Sequence, residues 1–319
     1  MTAPPACQAA PYVDSLWVGP PGKLRRLPMP DSGLTRTLSR GATAHTLVSG
    51  GSSVTRRPTV KRGYSATWTQ RLPEAADELV ALYAGTRGVG PYCLLDPGWR
   101  NFLDEPTSTG GLARGANTAW TTGPSGSAAT LDLTVAPPPQ AALGGVVRWA
   151  NPAVNASLWA GDYSVASGGL FKPGANPVPY VPGLPYAASV WVRFAAVPGA
   201  AAAVTLWLAG LSDSGWSVVN YAVGSLAISD ANWHQLVAYV PTTFAWNTPW
   251  LSLDISVGSP APGVDVLVAG AQLESRESAA GPLPWVTGLG CPRVVIPDPL
   301  GDTSTLWTRR SHTMSFLER

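Results

Sequence analysis

Apolar and polar residues alternate with a period of two along much of this chain. Ser189-Val190-Trp191-Val192-Arg193-Phe194 and Val264-Asp265-Val266-Leu267-Val268 are clear examples. A period of two marks a strand with one face buried. The middle of the chain predicts eight short β-rich strands, at residues 129–135, 145–149, 186–195, 203–211, 217–223, 234–240, 249–257 and 264–272. Clusters of Gly, Pro, Ser and Asn separate them, which is the pattern of a β-sandwich or jelly roll. No self-similar period runs through the sequence, so neither a propeller nor a solenoid is expected.

The two ends predict more strands. Residues 12–18, 60–70 and 92–95 read as strands, and 43–48 with 53–59 flank a Ser49-Gly50-Gly51 turn as a hairpin. Residues 292–296 and 305–318 close the chain as a strand and a longer strand or hairpin arm. One helix interrupts this pattern. From Pro73 to Tyr83, Leu79, Leu82 and Tyr83 recur at helical spacing behind an acidic first turn of Glu74, Asp77 and Glu78. Gly85 reads as its stop. Residues 107–117, rich in Gly, Ser and Thr, read as a linker or domain entry.

Composition sharpens this picture. Gly numbers 34 and Pro 32 among 319 residues, which excludes long helices as the main architecture. Fourteen Trp and nine Tyr exclude a disordered chain. The net charge of +2 makes no case for sequence-specific nucleic-acid binding. That charge is unevenly spread, at +6 over residues 1–100, −5 over 101–285 and +1 over 286–319. Lys23, Arg25, Arg26, Arg56, Arg57, Lys61 and Arg62 read as a solvated edge or a subunit interface rather than a DNA site. Cys7, Cys93 and Cys291 match no metal or redox spacing, and Cys93 reads as a buried thiol; which of the three are oxidised stays open. No secretory signal and no membrane span are expected.

Catalytic chemistry finds no pattern here. Asp132, Asp162, Asp213, Asp230, Asp254, Asp265, Glu274 and Glu277 are scattered rather than paired. His45, His234 and His312 are far apart, so neither a metal site nor a Ser-His-Asp triad is expected, and His234 reads as structural. Gly110-Gly-Leu-Ala-Arg-Gly115 lacks the Lys-Ser/Thr of a phosphate loop. No enzyme activity and no cofactor are expected; a structural calcium in a loop is an open option that no residue locates.

Glycan binding fits the composition better. A sugar offers an apolar ring face and a rim of hydroxyls, which aromatic rings beside Asp or Asn can match. The candidates are Trp159 and Tyr163 near Asp162, Trp216 and Tyr221 near Asp213 and Asn220, and Trp246 and Trp250 beside Asn247. Each of these Trp residues has burial as its alternative. Trp191 and Trp207, in apolar strands, read as core.

Some runs carry a family resemblance. Tyr64-Ser-Ala-Thr-Trp68, Gly90-Pro91-Tyr92-Cys93-Leu94-Leu95-Asp96-Pro97, Arg100-Asn101-Phe102-Leu103 and the closing residues 309–318 resemble distal-tail-type minor tail proteins of long-tailed actinobacteriophages. Tyr186-Ala-Ala-Ser-Val-Trp-Val-Arg193, Trp233-His234, Val268-Ala-Gly-Ala-Gln-Leu-Glu274 and Pro284-Trp285-Val286-Thr287-Gly288 are similar to carbohydrate-binding-module-like jelly rolls. The fold expected is mainly β. Residues 1–103 and 289–319 would form a split β-barrel or sandwich tail domain with one short helix, and 104–288 an inserted β-sandwich of jelly-roll type. The resemblance implies a virion structural protein at the tail tip, made in the host cytoplasm. It implies a homo-oligomeric ring, a hexamer, joining tail tube, tape measure and tail hub proteins to the baseplate. The jelly roll would face host cell-surface polysaccharide and serve host attachment. The rival reading is a free-standing carbohydrate-binding protein with no assembly role.

Overall fold

The computed structural model describes residues 15–39, 42–46, 52–56, 61–71, 73–112, 119–123, 128–160, 164–166, 170–172, 178–212, 218–243, 246–259, 261–276, 284–297, 300–306 and 309–318. The chain divides into two compact units. One is Pro97–Cys291; the other joins Met1–Asp96 to Pro292–Arg319. Both are built mainly of antiparallel strands.

The flanking unit begins with β1 (Ser15–Gly19), β2 (Arg25–Pro28), β3 (Thr35–Ser39), β4 (Ala42–Thr46), β5 (Ser52–Arg56), β6 (Lys61–Arg71), α1 (Pro73–Tyr83) and β7 (Tyr92–Leu95). Helix α1 buries Ala76, Leu79 and Leu82 on one stripe. It ends where the pattern predicts. Gly85, at φ +72°, donates its N–H to the Leu82 carbonyl, and Thr86 donates to Ala81. This pair of bonds is a Schellman stop, and the left-handed residue in it costs glycine least. The predicted hairpin is present as β4 paired with β5, although its turn lies outside the described residues.

The middle unit holds α2 (Glu105–Ser108), β8 (Trp120–Thr122), β9 (Ala129–Asp132), β10 (Val146–Trp149), β11 (Ser157–Ala160), β12 (Ser164–Ala166), β13 (Leu170–Lys172), β14 (Val178–Pro179), β15 (Tyr186–Phe194), β16 (Ala202–Leu211), β17 (Val218–Ile228), β18 (His234–Val240), β19 (Trp250–Val257) and β20 (Val266–Ser275). Two sheets form a sandwich of jelly-roll type. One runs β18-β15-β20-β10-β9; the other runs β17-β16-β19-β11-β8, with β14 also on β19. Side chains such as Trp149, Phe194, Leu206, Leu208, Leu253, Ile255 and Val268 are buried in this unit. Each such apolar side chain contributes about 1.5–3 kcal/mol on burial.

The chain then returns to the flanking unit as β21 (Arg293–Val295), β22 (Gly301–Leu306) and β23 (Arg309–Glu318). The order β2-β1-β7-β21-β23-β6-β3 interleaves strands from both ends of the sequence, with β22 on β23. Arg293 stands opposite Cys93, and Phe316 opposite Tyr64. The predicted arm at 305–318 is therefore the β22–β23 hairpin. Cys93 is a free, buried thiol, and burial pushes its pKa up to about 11. Cys291, in the middle unit, is also a buried thiol; Cys7 lies outside the described residues.

Two boundaries differ from the sequence reading. Residues 97–103 and 289–291 belong to the middle unit. Buried Asn101 is the reason. Its Nδ2 donates to the Ala271 and Val286 carbonyls, and its Oδ1 accepts from the Leu103 and Leu273 amides. One side chain thus uses all its hydrogen-bonding capacity to hold both ends of the unit to β20. Nor are residues 107–112 a linker. Asp104 caps α2, Thr107 accepts from the Trp120 indole, and Ser108 accepts from the Gly288 amide. The small polar residues that suggested flexibility are satisfying buried backbone groups instead.

Candidate functional site

Most carboxylates of the middle unit have structural partners. Asp132 and Asp265 both accept from Arg148, at 2.7 and 2.8 Å. Hydrogen bonding by Thr134, with Arg148 beside it, pulls the Asp132 pKa down to about 2. Asp230 accepts from Asn232 and pairs with His234, and these bonds lower it to about 2. Glu274 accepts from Gln272 and neighbours Arg276. Among the described residues, no group of three His, Cys, Asp or Glu is placed to hold a metal ion.

Asp254 has no charged partner among the described residues. It lies on β19, the central strand of its sheet, opposite Trp207 of β16 and Trp159 of β11. Its Oδ1 is buried with no hydrogen-bond partner among the described residues. Burial pushes its pKa up to about 8, against the opposing pull of the Ser252 hydroxyl. With Asn155, Ser157, Trp207 and Ser256 it lines an open cavity of about 220 Å³. A cavity of ~150 Å³ already holds a benzene ring.

The strand register builds this site. Along β16 the even positions Val204, Leu206 and Leu208 are buried, while Thr205 and Trp207 are half-buried on the other side. Residues opposite each other in a ladder share a face. That rule places Tyr221 and Ser225 of β17, Ser252, Asp254 and Ser256 of β19, and Ser157 and Trp159 of β11 on the Trp207 face. The Trp207 indole donates to the Ser256 hydroxyl at 2.7 Å, which fixes its ring. Tyr221, 60 % exposed, meets that ring edge-on at 5.0 Å between centroids. Thr205 and Ser225 share a hydroxyl–hydroxyl bond of 2.9 Å alongside. Two aromatic rings, a buried carboxyl and a set of hydroxyls therefore meet on one open sheet face.

The predicted residues distribute as follows. Tyr221 is at the site. Trp159 shares the face but is covered, at 8 % exposure, so it offers no platform. Trp246 lies in the core, stacked on Tyr180 at 5.8 Å, and Trp250 is buried as well. Asn220 neighbours Tyr221 along β17 and so faces the opposite side. Asn247 is exposed in a loop. Asp162, Tyr163, Asp213 and Trp216 lie outside the described residues. Trp207, which reads as core, is instead the centre of the face. Its signal was available: Thr205 shares its parity on β16, as Ser252, Asp254 and Ser256 share one parity on β19.

No protein family and no curated protein matches this chain. Solved structures do. An arabinose-bound α-L-arabinofuranosidase, MgGH51, is 14 % identical with a TM-score of 0.40, over 59 % of this chain and 28 % of that one. The tailspike protein 4 enzymatically active domain of bacteriophage CBA120 is 9 % identical with a TM-score of 0.37, over 55 % and 21 %. The CBM22-1 xylan-binding domain of Paenibacillus barcinonensis Xyn10C is 14 % identical with a TM-score of 0.33, over 56 % and 96 %. The matched part spans about a quarter of the first two proteins.

Proposed function

We propose that the middle unit is a glycan-binding module that uses the Trp207 face. One observation carries this reading: Trp207 and Tyr221 stand on an open sheet face beside a cavity floored by Asp254 and Ser256. Aromatic faces accept the C–H side of a sugar ring, and the adjacent carboxyl and hydroxyls serve its hydroxyl rim. The experiment is a glycan array with the full chain and its Trp207→Ala variant. Binding to at least one glycan class, lost in the variant, is expected. No binding to any glycan, or binding indifferent to Trp207, overturns the reading.

The flanking unit is proposed as the assembly part of a phage tail-tip protein, at work in the virion. Supporting this are the resemblance of its strands to distal-tail proteins and a sheet that interleaves both ends of the chain. On this reading copies close into a hexameric ring that meets tail tube, tape measure and hub proteins, and the module reaches host-surface polysaccharide. The particle mass of the purified chain, with a virion protein inventory, tests it. A ring present in virions is expected; a monomer absent from virions overturns it.

A further inference from the structure

We propose that the cavity on the Trp207 face takes a saccharide bearing a protonated primary amine, with Asp254 receiving the ammonium and Trp207 forming the aromatic wall beside it. This inference rests on the glycan-binding reading and narrows its ligand class.

Four other described carboxylates of the unit show what Asp254 lacks. Asp132 and Asp265 share a guanidinium, Asp230 has an imidazole, and Glu274 has Arg276. Around Asp254, β16 presents Trp207, β11 presents Trp159 and Ser157, and β19 itself presents Ser252 and Ser256. On the same face β17 presents the Tyr221 phenol, at the edge of the Trp207 ring. No cation among the described residues acts on Asp254. A buried carboxyl in that setting keeps its proton below its raised pKa of about 8, and an approaching positive charge favours its ionised form.

A neutral sugar supplies hydroxyls but no charge. An ammonium supplies three N–H donors and a charge together. It would pair with the Asp254 carboxyl, which lines the cavity, and gain a cation–π contact from the Trp207 ring. The remaining ring hydroxyls would fall to Asn155, Ser157 and Ser256 around the cavity.

The proton balance gives this proposal a signature. Near ~pH 6 the free amine is protonated and Asp254 is neutral, so forming the carboxylate–ammonium pair releases one proton to solvent. Near ~pH 9.5 Asp254 is ionised and the free amine is neutral, so forming the same pair takes one up.

The test is isothermal titration of the full chain with a β-1,4-glucosamine hexamer and with its fully N-acetylated counterpart, each in two buffers of different ionisation enthalpy. The expected result is a preference of ~tenfold or more for the amine form, with proton release near pH 6 that turns to uptake near pH 9.5. Asp254→Asn, close in shape, should bring the preference within ~twofold, and Asp254→Ser should do the same should the first variant fold poorly. Equal affinity for the two hexamers, no proton exchange, or a preference that survives in a folded Asp254 variant each overturns the inference. Failure of both hexamers also overturns it, and the glycan array then decides separately whether the broader reading falls.

Discussion

The two outer faces of the sandwich both carry tryptophan in the middle of an alternating strand, and they end differently. On the β15 side, Trp191 is covered. Trp285 and Ala141 pack with it, Trp233 closes the edge, and the Arg193 guanidinium sits 5.2 Å from the Trp233 ring. Gly270, at φ +60°, makes room: a Cβ there would lie 2.7 Å from the Ala141 Cβ and 3.2 Å from the Trp191 ring. On the β16 side, Trp207 has Tyr221 at its edge, a cavity at its foot and no such apolar cover among the described residues. The chain spends a segment after β20 on sealing one face. The pattern of one strand therefore does not decide whether its tryptophan serves stability or binding; the segment that returns to cover it does.

The largest expected effect breaks the sealed face. Trp191→Ala should cost about 3–5 kcal/mol in denaturant unfolding, as a buried aromatic truncation does. The matching change on the open face, Trp207→Ala, should cost under ~1.5 kcal/mol while glycan binding disappears. Equal stability losses would erase the distinction.

A middle-sized effect tests the ion pairs of the sealed sheet. Arg148→Ala should cost about 1–3 kcal/mol near neutral pH, because it strips the shared cation from half-buried Asp132 and Asp265. Asp132 has a depressed pKa of about 2, so its contribution is complete above its unfolded pKa and is lost as pH falls toward 2. Wild type and variant should converge in thermal melts over that acid range.

A pH-dependent effect has the opposite sign. Asp254 has a raised pKa of about 8, so ionisation disfavours the folded state. Its penalty is absent below the unfolded carboxyl pKa, grows as pH rises toward 8, and is constant above. Asp254→Asn should therefore stabilise the chain by a margin that widens as pH rises through that window. A margin independent of pH would remove Asp254 from the buried setting described above.

Much of this fold was legible because its rules are local. Helix α1 carries its own stripe and stop, and alternation is visible in β15 and at the start of β20. Strands such as β2, β3 and β11 were not legible. They are four or five residues long, and Arg25-Arg26-Leu27-Pro28 or Ser157-Leu158-Trp159-Ala160 is too short to show a period. The site was legible in kind, as aromatic rings beside a carboxyl, and Tyr221 was among the residues named. Its centre was not, because Ala203 to Leu211 is nearly all apolar and only Thr205 betrays the open side. Trp246 and Trp250 gave the reverse error. They follow Pro- and Asn-bearing loop sequence, yet Trp246 stacks on Tyr180 in the core, a contact between residues 66 apart.

The most direct test follows the indole N–H signals of the tryptophans by NMR while the full chain is titrated with the strongest glycan from the array. Trp207 donates its indole proton to Ser256 at the site, so its signal should shift with the ligand while those of Trp191 and Trp285 stay still. A shift at Trp191 or Trp285 with Trp207 unmoved would contradict the account.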